Sequence, residues 1–140
     1  MAIPTLWQQR PPPAGPRPGS NYELHAADAT PRAGFVANVM VMHRNDPMHG
    51  IVVARSGPAT AGMFAQQGTT VTHHGPTRLG WLEAYEIETA TSANGTDIGT
   101  LMTLAVNGPH YFTITCSGAR AAWPELRATC VAMQQTFRAH

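Results

Sequence analysis

Residues 79–138 decide the fold, and they read LGWLEAYEIETATSANGTDIGTLMTLAVNGPHYFTITCSGARAAWPELRATCVAMQQTFR. Two Asn-Gly dipeptides, Asn94-Gly95 and Asn107-Gly108, divide the first part of this stretch into strand-like runs. Asn-Gly is the strongest short hairpin signal, because a type I′ turn needs a positive φ at both central residues. The pattern predicts an antiparallel meander of three strands, residues 79–92, 96–106 and 110–116.

An amphipathic helix follows the meander. Large apolar side chains recur at spacings of three and four residues, which is typical of one helix face, and they are Trp123, Leu126, Cys130, Met133 and Phe137. Pro124 suits the first helical turn, where its missing N–H is not needed. We expect this helix to pack on the apolar side of the last strand, which carries Phe112, Ile114 and Cys116.

Two runs, residues 34–42 and 101–106, are apolar on both strand faces. A strand of this kind is covered on both sides, so both runs are predicted to be central strands between layers. Residues 21–26 alternate and are predicted to form an edge strand, and residues 69–74 a strand that enters a Gly75-Pro76 turn.

The second covering layer must come from the weakly patterned residues 47–68. Residues 59–67 are the best candidate for a short helix in this region, because Pro58 precedes them and Gly68 is a plausible C-cap. Because the region is broken by Gly and Pro, we expect the sheet face beneath it to be partly open and to be a binding surface. An ordered helix that seals this face would exclude that expectation.

The N-terminal residues 1–19 are predicted to be a flexible, polyproline-like tail, because they carry six prolines and few large apolar side chains. A single domain would then span residues 20–140. Residues 13–16 match a PxxP ligand, although a plain spacer is the more common use of such a pattern. Trp7 is the exception in the tail, since a lone tryptophan often docks on a folded surface.

Composition excludes several classes of function. The chain has 140 residues with a formal net charge of +1, and its nine basic residues are scattered arginines, which gives no electrostatic footprint for nucleic acid. Only 12% of residues are charged, about half the typical share, which favours neutral surfaces. No apolar run reaches the length of a membrane span. Arginine without lysine is typical of high-GC bacteria.

The N-terminus has neither a continuous apolar signal region nor a lipobox cysteine. We therefore expect a cytoplasmic protein, with export as the alternative if a signal precedes this sequence. The compartment also decides between two states of Cys116 and Cys130, which the pattern places on facing buried surfaces. They form either a disulfide or two reduced, buried thiols.

No catalytic, cofactor or metal site is predicted. His73 and His74 are adjacent on a strand and point to opposite faces, and His43 and His49 have no Cys or carboxylate at ligand spacing. His110 and Cys116 lie six residues apart on one strand, about 20 Å, too far for a nucleophile–base pair. Among three clustered acids (Glu83, Glu86 and Glu88), a solvated strand face is favoured over a general acid/base pair.

Short motifs resemble a known family. A strand that reads FVANVMV (residues 35–41), a GxxxLGxLxAxxxE pattern from Gly75 to Glu88, the HYFTITC strand (residues 110–116) and a helix ending in TFR occur in order. This arrangement is similar to Mog1/PsbP-like proteins, in particular the LpqN-type lipoproteins of mycobacteria. The missing lipobox cysteine is a departure from those lipoproteins.

The resemblance implies an α+β fold, an α-β-α sandwich with a central antiparallel sheet and the C-terminal helix packed on it. It also implies no enzymatic activity and no cofactor. Relatives include a Ran-binding protein, a photosystem II extrinsic subunit and chaperones of type VI secretion effectors. They share a binding scaffold without a shared chemistry, so the resemblance implies no particular partner.

Three functions remain open. The first is a non-catalytic binding or adaptor module that engages a protein or lipid-like partner through a neutral apolar face, with candidates Met40, Met42, Met63, Phe64, Trp81 and Tyr85. The second is a small-ligand carrier or enzyme with a pocket between the sheet and the short helix, which a deep cavity lined by the Met and Phe residues would favour. The third is a self-associating subunit that uses residues 21–26. We expect a monomer or weak homodimer.

Overall fold

The computed structural model describes residues 1–11, 20–45 and 52–138, and there it contains a seven-stranded antiparallel sheet with one helix on each face. The strands are β1 (Trp7–Gln9), β2 (Ser20–Asp28), β3 (Asn38–Asn45), β4 (Thr70–Leu79), β5 (Leu82–Ala93), β6 (Thr96–Asn107) and β7 (His110–Ala119). The helices are α1 (Val53–Gln66) and α2 (Trp123–Gln135), the latter preceded by a 3₁₀ turn at Arg120–Ala122. The spatial order β1-β2-β3-β7-β6-β5-β4 places β7 beside β3, so the meander folds back onto the first half of the chain.

The predicted meander is confirmed, with one change in turn type. Asn94 and Gly95 both have positive φ, 52° and 78°, as a type I′ turn requires. At the second turn Asn107 pairs with His110, so the central residues are Gly108 and Pro109. Only Gly108 has a positive φ there (59°), which is the pattern of a type II′ turn with glycine first.

The predicted turn at Gly75-Pro76 is wrong, because β4 runs straight through both residues. The β4–β5 turn lies instead at Gly80 and Trp81, and Leu79 therefore ends β4 and does not begin the next strand. Within the described residues β4 is the last strand of the sheet. An edge strand tolerates proline, since a missing N–H on the outer side removes no bond from the ladder.

Helix α2 is confirmed, and it closes one face of the sheet. Its five predicted stripe residues are all between 1% and 6% exposed. They share one core cluster with the sheet residues Phe112 and Ile114, both 0% exposed, and with Cys116. Gly99 permits this close approach, because a Cβ there would overlap the indole ring of Trp123.

Helix α1 is longer than predicted. It begins at Val53, six residues before the predicted start at 59, and Pro58 lies inside it. A proline in this position removes one backbone hydrogen bond, but Val53, Gly57 and Ala61 are buried at spacings of four and hold the first turns on the sheet. Small residues carry little hydrophobic signal, so the sequence pattern did not reveal the buried face of the first helical turns. Gly68 has a φ of 83° just after the helix, as its predicted capping position requires.

β3 and β2 both lie inside the sheet. β3 pairs with β2 and β7, as predicted for a central strand, although it begins at Asn38 and not at residue 34. The predicted strand at residues 21–26 is confirmed as part of β2, and β1 covers only the second half of β2, through Trp7↔Asp28 and Gln9↔Ala26.

Residues near the start of the chain contact the sheet and the end of α2. Trp7 is 6% exposed and joins the α2-side core, against which Ile3 also packs. The Ala2 backbone N–H donates a hydrogen bond of 2.7 Å to Oγ1 of Thr136, beyond α2. The predicted docking of Trp7 is thus observed. Residues 12–19, with the PxxP pattern at 13–16, lie outside the described residues, and the domain boundary at residue 20 stays a prediction.

Candidate functional site

Helix α1 covers only part of the sheet face on which it lies. It packs on β4, β5 and β6, where Val53 and Ala61 form a buried cluster with three sheet residues (Tyr85, Ile87 and Leu104). Gly57 lies directly on the Tyr85 ring, and a Cβ at this position would overlap the ring carbons. The helix is therefore seated over one half of the face.

The other half of this face, over β2, β3 and β7, forms what we call the open strip, made up of Tyr22, Met40, Met42, Tyr111, Thr113 and Thr115. Register brings the six together, since Met40 pairs with Thr115 and Met42 with Thr113. All six side chains are half-buried and none is fully covered by the described residues. The strip is a continuous surface of thioether, phenol and hydroxyl groups.

The electrostatics of the open strip are close to neutral. None of its six side chains is a cation or a carboxylate. Burial, opposed by the positive charge of Arg44, raises the pKa of Tyr111 above its ordinary value of 10.0, so the phenol is uncharged at neutral pH. The Arg44 guanidinium lies 5.0 Å from the centroid of the Tyr111 ring, a cation–π arrangement at the end of the strip.

A separate groove of about 630 Å³ lies between the first turns of α1 and the strands β4 and β5. Its lining residues are Val53, Ala54, Pro58, Pro76, Thr77, Arg78, Glu83, Ala84 and Tyr85. Arg78 and Glu83 pair across the two strands, and the Tyr85 hydroxyl lies 2.5 Å from Nδ1 of His74. The volume is within the range of small-molecule sites. None of the methionines or phenylalanines expected to line a cavity lines this groove.

Two of the three clustered acids, Glu86 and Glu88, contact Arg127 on the α2 side. Arg127 Nε donates a hydrogen bond of 2.5 Å to Glu88, and Arg127 also lies 4.0 Å from Glu86, which is 3.2 Å from His73. Burial acts to raise the pKa of Glu88, but Arg127 and the Thr72 hydroxyl outweigh it and lower that pKa below 4.5. A general acid needs the opposite shift. Glu83 lies apart, in the groove.

His43, His73 and His74 each have a polar partner on an adjacent strand. His73 and His74 contact different partners, Glu86 and Tyr85, as adjacent strand residues should. His43, however, has a carboxylate partner that its sequence neighbours do not supply: Glu23 of β2 lies 3.5 Å away. His49 lies outside the described residues. Within the described ranges no group of three or more His, Cys, Asp or Glu side chains is placed to hold a metal ion.

Cys116 and Cys130 form a disulfide between β7 and α2. Their Cα atoms are 6.0 Å apart and both residues are 1% exposed. The sequence left open whether these thiols are joined, and the structure contains the bond. It ties the helix to the strand that forms the centre of the covered face.

The six residues predicted to form a binding face do not lie together. Met40 and Met42 lie in the open strip, whereas Met63 is exposed on α1 and Phe64 is half-buried beneath that helix. Trp81 is 67% exposed on the β4–β5 turn, and Tyr85 is buried under α1.

The strip residues Tyr22, Tyr111, Thr113 and Thr115 were not predicted as site residues. Alternation in residues 110–116 already placed Tyr111, Thr113 and Thr115 opposite the core face. What the sequence lacked was the pairing of β7 with β3, which joins their outer residues to the two methionines.

Comparisons with known proteins identify the fold. No protein-family model and no curated protein sequence matches this chain. Solved structures do match it. One of them is LpqN of Mycobacterium tuberculosis, a protein involved in cell envelope biogenesis. It superposes with a TM-score of 0.71 at 12% identity, over 96% of this chain and 79% of that one. PsbP (CyanoP) of Synechocystis sp. PCC 6803 gives a TM-score of 0.71 at 15% identity, over 99% and 84%.

A protein of unknown function from Pseudomonas aeruginosa, PA94, gives a TM-score of 0.65 at 12% identity, over 96% of this chain and 97% of that one. Identities this low establish the fold alone, and the chain has the α+β Mog1/PsbP-like fold that its motifs resembled. The described part of the chain has no helix with the length and apolar character to cross a membrane.

Proposed function

We propose that this chain is a non-catalytic binding module that engages a protein or lipid-like partner through the open strip. The observation that carries the proposal is that the described residues cover one sheet face incompletely. α1 is seated on β4–β6, while the methionines and hydroxyl side chains of β3 and β7 stay half-exposed. A contiguous neutral surface of this kind is typical of an interaction site.

The chemistry of the strip supports an apolar partner surface. Methionine is flexible and polarizable, so it adapts to different apolar shapes, and threonine hydroxyls tolerate both water and contact. The Arg44–Tyr111 pair would supply one oriented cation at the end of the strip. The acids on the α2 side are engaged with Arg127 and His73, so their arrangement favours a structural role over a catalytic one.

We infer an oxidising compartment from the Cys116–Cys130 disulfide. Buried disulfides persist in secreted and periplasmic proteins and are rare in the cytoplasm of most bacteria. This supports the exported alternative over the cytoplasmic expectation. Acid quenching of cells of the source organism, followed by denaturation with an alkylating agent present, tests it: an unmodified protein supports export, and a doubly alkylated one contradicts it.

Photo-crosslinking tests the binding face and can capture a partner of any chemistry. A photoreactive amino acid is placed at Met40 or Thr113 in the open strip, and at Ala132, which is exposed on the opposite side of α2. Both strip positions should give the same adduct in the source cell, and Ala132 should give none. Loss of the adduct with protease separates a protein partner from a lipid.

A result with no adduct at either strip position, or with equal adducts at all three, would contradict the proposal. An added probe at Met63, which is 47% exposed on α1, shows whether the contacted surface extends across the helix.

A second candidate function is small-ligand binding in the groove beside α1, and the groove's volume of about 630 Å³ favours it. Ala54 is exposed and lines this groove. An Ala54→Trp substitution would therefore fill it with little effect on the core. Ligands found by ligand-observed NMR on the wild-type protein should lose binding in this variant. Fragments that bind both proteins equally would place the ligand elsewhere.

Self-association through residues 21–26 is the third candidate, and β1 covers only the second half of β2. At the other end of the described sheet β4 is the outer strand, and Pro76 in its middle removes a donor that a second strand could use. We therefore continue to expect a monomer or weak homodimer, which light scattering at high concentration would test.

A further inference from the structure

We propose that Met40, Met42 and His25 form a binding site for a soft monovalent metal ion, the copper(I) ion. Met40 and Met42 are two residues apart on β3 and therefore lie on the same sheet face, in the open strip. His25 of β2 is the register partner of Met40. The fold thus brings two thioethers and one imidazole to the same place on the sheet.

Strand geometry places these three side chains within reach of one ion. Residues directly opposite each other in an antiparallel pair, as His25 and Met40 are, have Cβ atoms about 4.5–5.5 Å apart. Met40 and Met42 are about 6.6 Å apart along β3, and diagonal neighbours such as His25 and Met42 about 7–8 Å. Methionine has three rotatable bonds, so both sulfur atoms can turn toward an ion above this triangle.

The hydrogen bonding of His25 leaves one ring nitrogen for a metal. Nδ1 lies 2.9 Å from the carbonyl oxygen of Pro11, and Nδ1 must donate this bond because a carbonyl oxygen can only accept. Nε2 of the neutral ring then keeps its lone pair, and no described residue forms a hydrogen bond with it. A histidine that binds a metal typically donates its other N–H to a carbonyl or carboxylate, which fixes the tautomer and the ring orientation.

An ion can reach this site from solvent. The side chains of Met40, Met42 and His25 are all half-buried. His25 also lines a shallow hollow of about 140 Å³ at the edge of β2, together with Tyr22 of the open strip. Helix α1 packs on β4, β5 and β6, on the other half of this sheet face. Entry of an ion therefore requires no movement of α1.

The set of ligands favours copper(I) over zinc. Thioether sulfur is a soft ligand that selects copper(I), whereas zinc sites in proteins use cysteine, histidine and carboxylate ligands. Two thioethers and a neutral imidazole contribute no negative charge. A divalent ion would keep its full double charge in this half-buried position, which costs more free energy than the single charge of a monovalent ion.

Thioether ligands also suit the oxidising compartment inferred from the disulfide. The chain has two cysteines, and Cys116 and Cys130 are joined to each other, so no thiolate is left to bind a metal. A thioether cannot form a disulfide and stays available where thiols are oxidised. Only this link rests on the proposed compartment. The site itself depends neither on the compartment nor on a partner of the open strip.

NMR of the full chain with ¹³C-methyl-labelled methionine tests the site. Silver(I) in chloride-free buffer is the first probe, because it is soft and monovalent and does not change its oxidation state. Copper(I) kept reduced with ascorbate is the second. An equimolar amount of either ion should move the methyl signals of Met40 and Met42 and the Nε2 signal of His25. The signal of Met63, which is exposed on α1, should not move, and zinc(II) should move none of the methionine signals.

Variants distinguish this site from general binding to methionine. Met42→Leu nearly conserves side-chain volume, and it should weaken silver(I) binding about tenfold or more, because loss of an outer-shell partner alone costs roughly 10–100-fold in metal affinity. His25→Gln should have a similar effect, and if one of these variants folds poorly the other decides. Met63→Leu is the matched control and should bind silver(I) like the wild type.

Three results would overturn the proposal. The first is an equal shift of all exposed methionine signals, which would indicate unspecific binding. The second is an unchanged silver(I) affinity in folded Met42→Leu or His25→Gln. The third is zinc(II) binding of equal strength at the same methionine signals, since the site would then not select a soft monovalent ion.

Discussion

The two sides of β3 and β7 differ, although both sides of β3 are apolar in sequence. On the α2 side, Val39, Val41, Phe112 and Ile114 are at most 3% exposed. On the other side Met40, Met42, Thr113 and Thr115 are half-buried. Branched aliphatic and aromatic residues face the closed layer, and methionine and threonine face the open strip. For β3, the kind of apolar residue therefore distinguishes the two sides, since valine faces the closed layer and methionine the open strip.

The largest expected effect is the removal of a closed-side ring. Phe112→Ala should lower the free energy of unfolding by about 3–5 kcal/mol, because Phe112 is 0% exposed and touches both Phe137 and His43. Its neighbour on the open side provides the control: Thr113→Ala should cost under about 1 kcal/mol. Urea denaturation measures both. Equal losses would mean that the open strip is as tightly packed as the core.

The disulfide should come next in magnitude. Cys116 and Cys130 are 14 residues apart, and a closed loop of this size stabilises by about 3 kcal/mol in the chain-entropy model. A Cys116→Ala, Cys130→Ala double variant should lose about this much, with α2 less protected from hydrogen exchange. A matched Ser117→Ala change on the open side of the same strand should have little effect.

Should the double variant match the wild type under oxidising conditions, the bond would contribute nothing to the closed side. A wild-type protein insensitive to reductant in denaturant would lead to the same conclusion.

The elements that could be predicted from sequence are those whose signals are local. The stripe from Trp123 to Phe137 and the Asn94-Gly95 turn each depend on residues close in the chain, and both appear as expected. The predictions at Pro58 and Pro76 failed because proline was taken as the boundary of an element. Tertiary position made both tolerable, since Pro58 lies within a helix that has a buried small-residue face and Pro76 lies on a sheet edge.

The candidate site was less predictable, for a topological reason. The methionines of β3 and the hydroxyls of β7 lie about 70 residues apart in the chain, and they meet only because β7 pairs with β3 and not with β1 or β4. Likewise the partner of His43, Glu23, comes from the preceding strand through a register that contains a bulge. Contacts between distant strands of this kind cannot be read from the spacing of residues in the sequence. The alternation of side chains along each strand did assign the residues of β3 and β7 to the correct sheet faces.

The boundary between covered and open halves of the α1 face should depend on one glycine. In Gly57→Ala the new methyl group overlaps the Tyr85 ring, so the helix must shift, at a cost of about 1–3 kcal/mol. Gly62→Ala in the same helix is the matched control. It meets no atom within 4 Å and should stabilise by up to about 1 kcal/mol through helix propensity.

Chemical denaturation compares the two alanine variants directly, and increased Tyr85 solvent exposure in Gly57→Ala would show that α1 has lifted. If both variants gain stability, α1 is not seated on Tyr85 as described, and the open strip would not end at that helix.

The smallest expected effect concerns the charged rim of the closed side. Burial acts to raise the pKa of Glu88, but the hydrogen bond from Arg127 and the other favourable contacts prevail, and the pKa is lowered. A lowered folded-state pKa stabilises the protein above the ordinary value of 4.5, and this contribution is lost as pH falls through the folded value. Arg127→Gln should therefore cost up to about 1 kcal/mol at neutral pH, the usual worth of a partly exposed pair.

The gap between wild type and Arg127→Gln should close as the solution is acidified below the ordinary carboxyl range, and denaturation at several pH values would follow it. Because Arg127 is itself part of α2, a gap that persists in acid would show that its aliphatic stem stabilises the rim by packing and not by charge. At this point of the rim, the contrast with the open strip would then depend on side-chain packing, since the attraction between Arg127 and Glu88 would add nothing to stability.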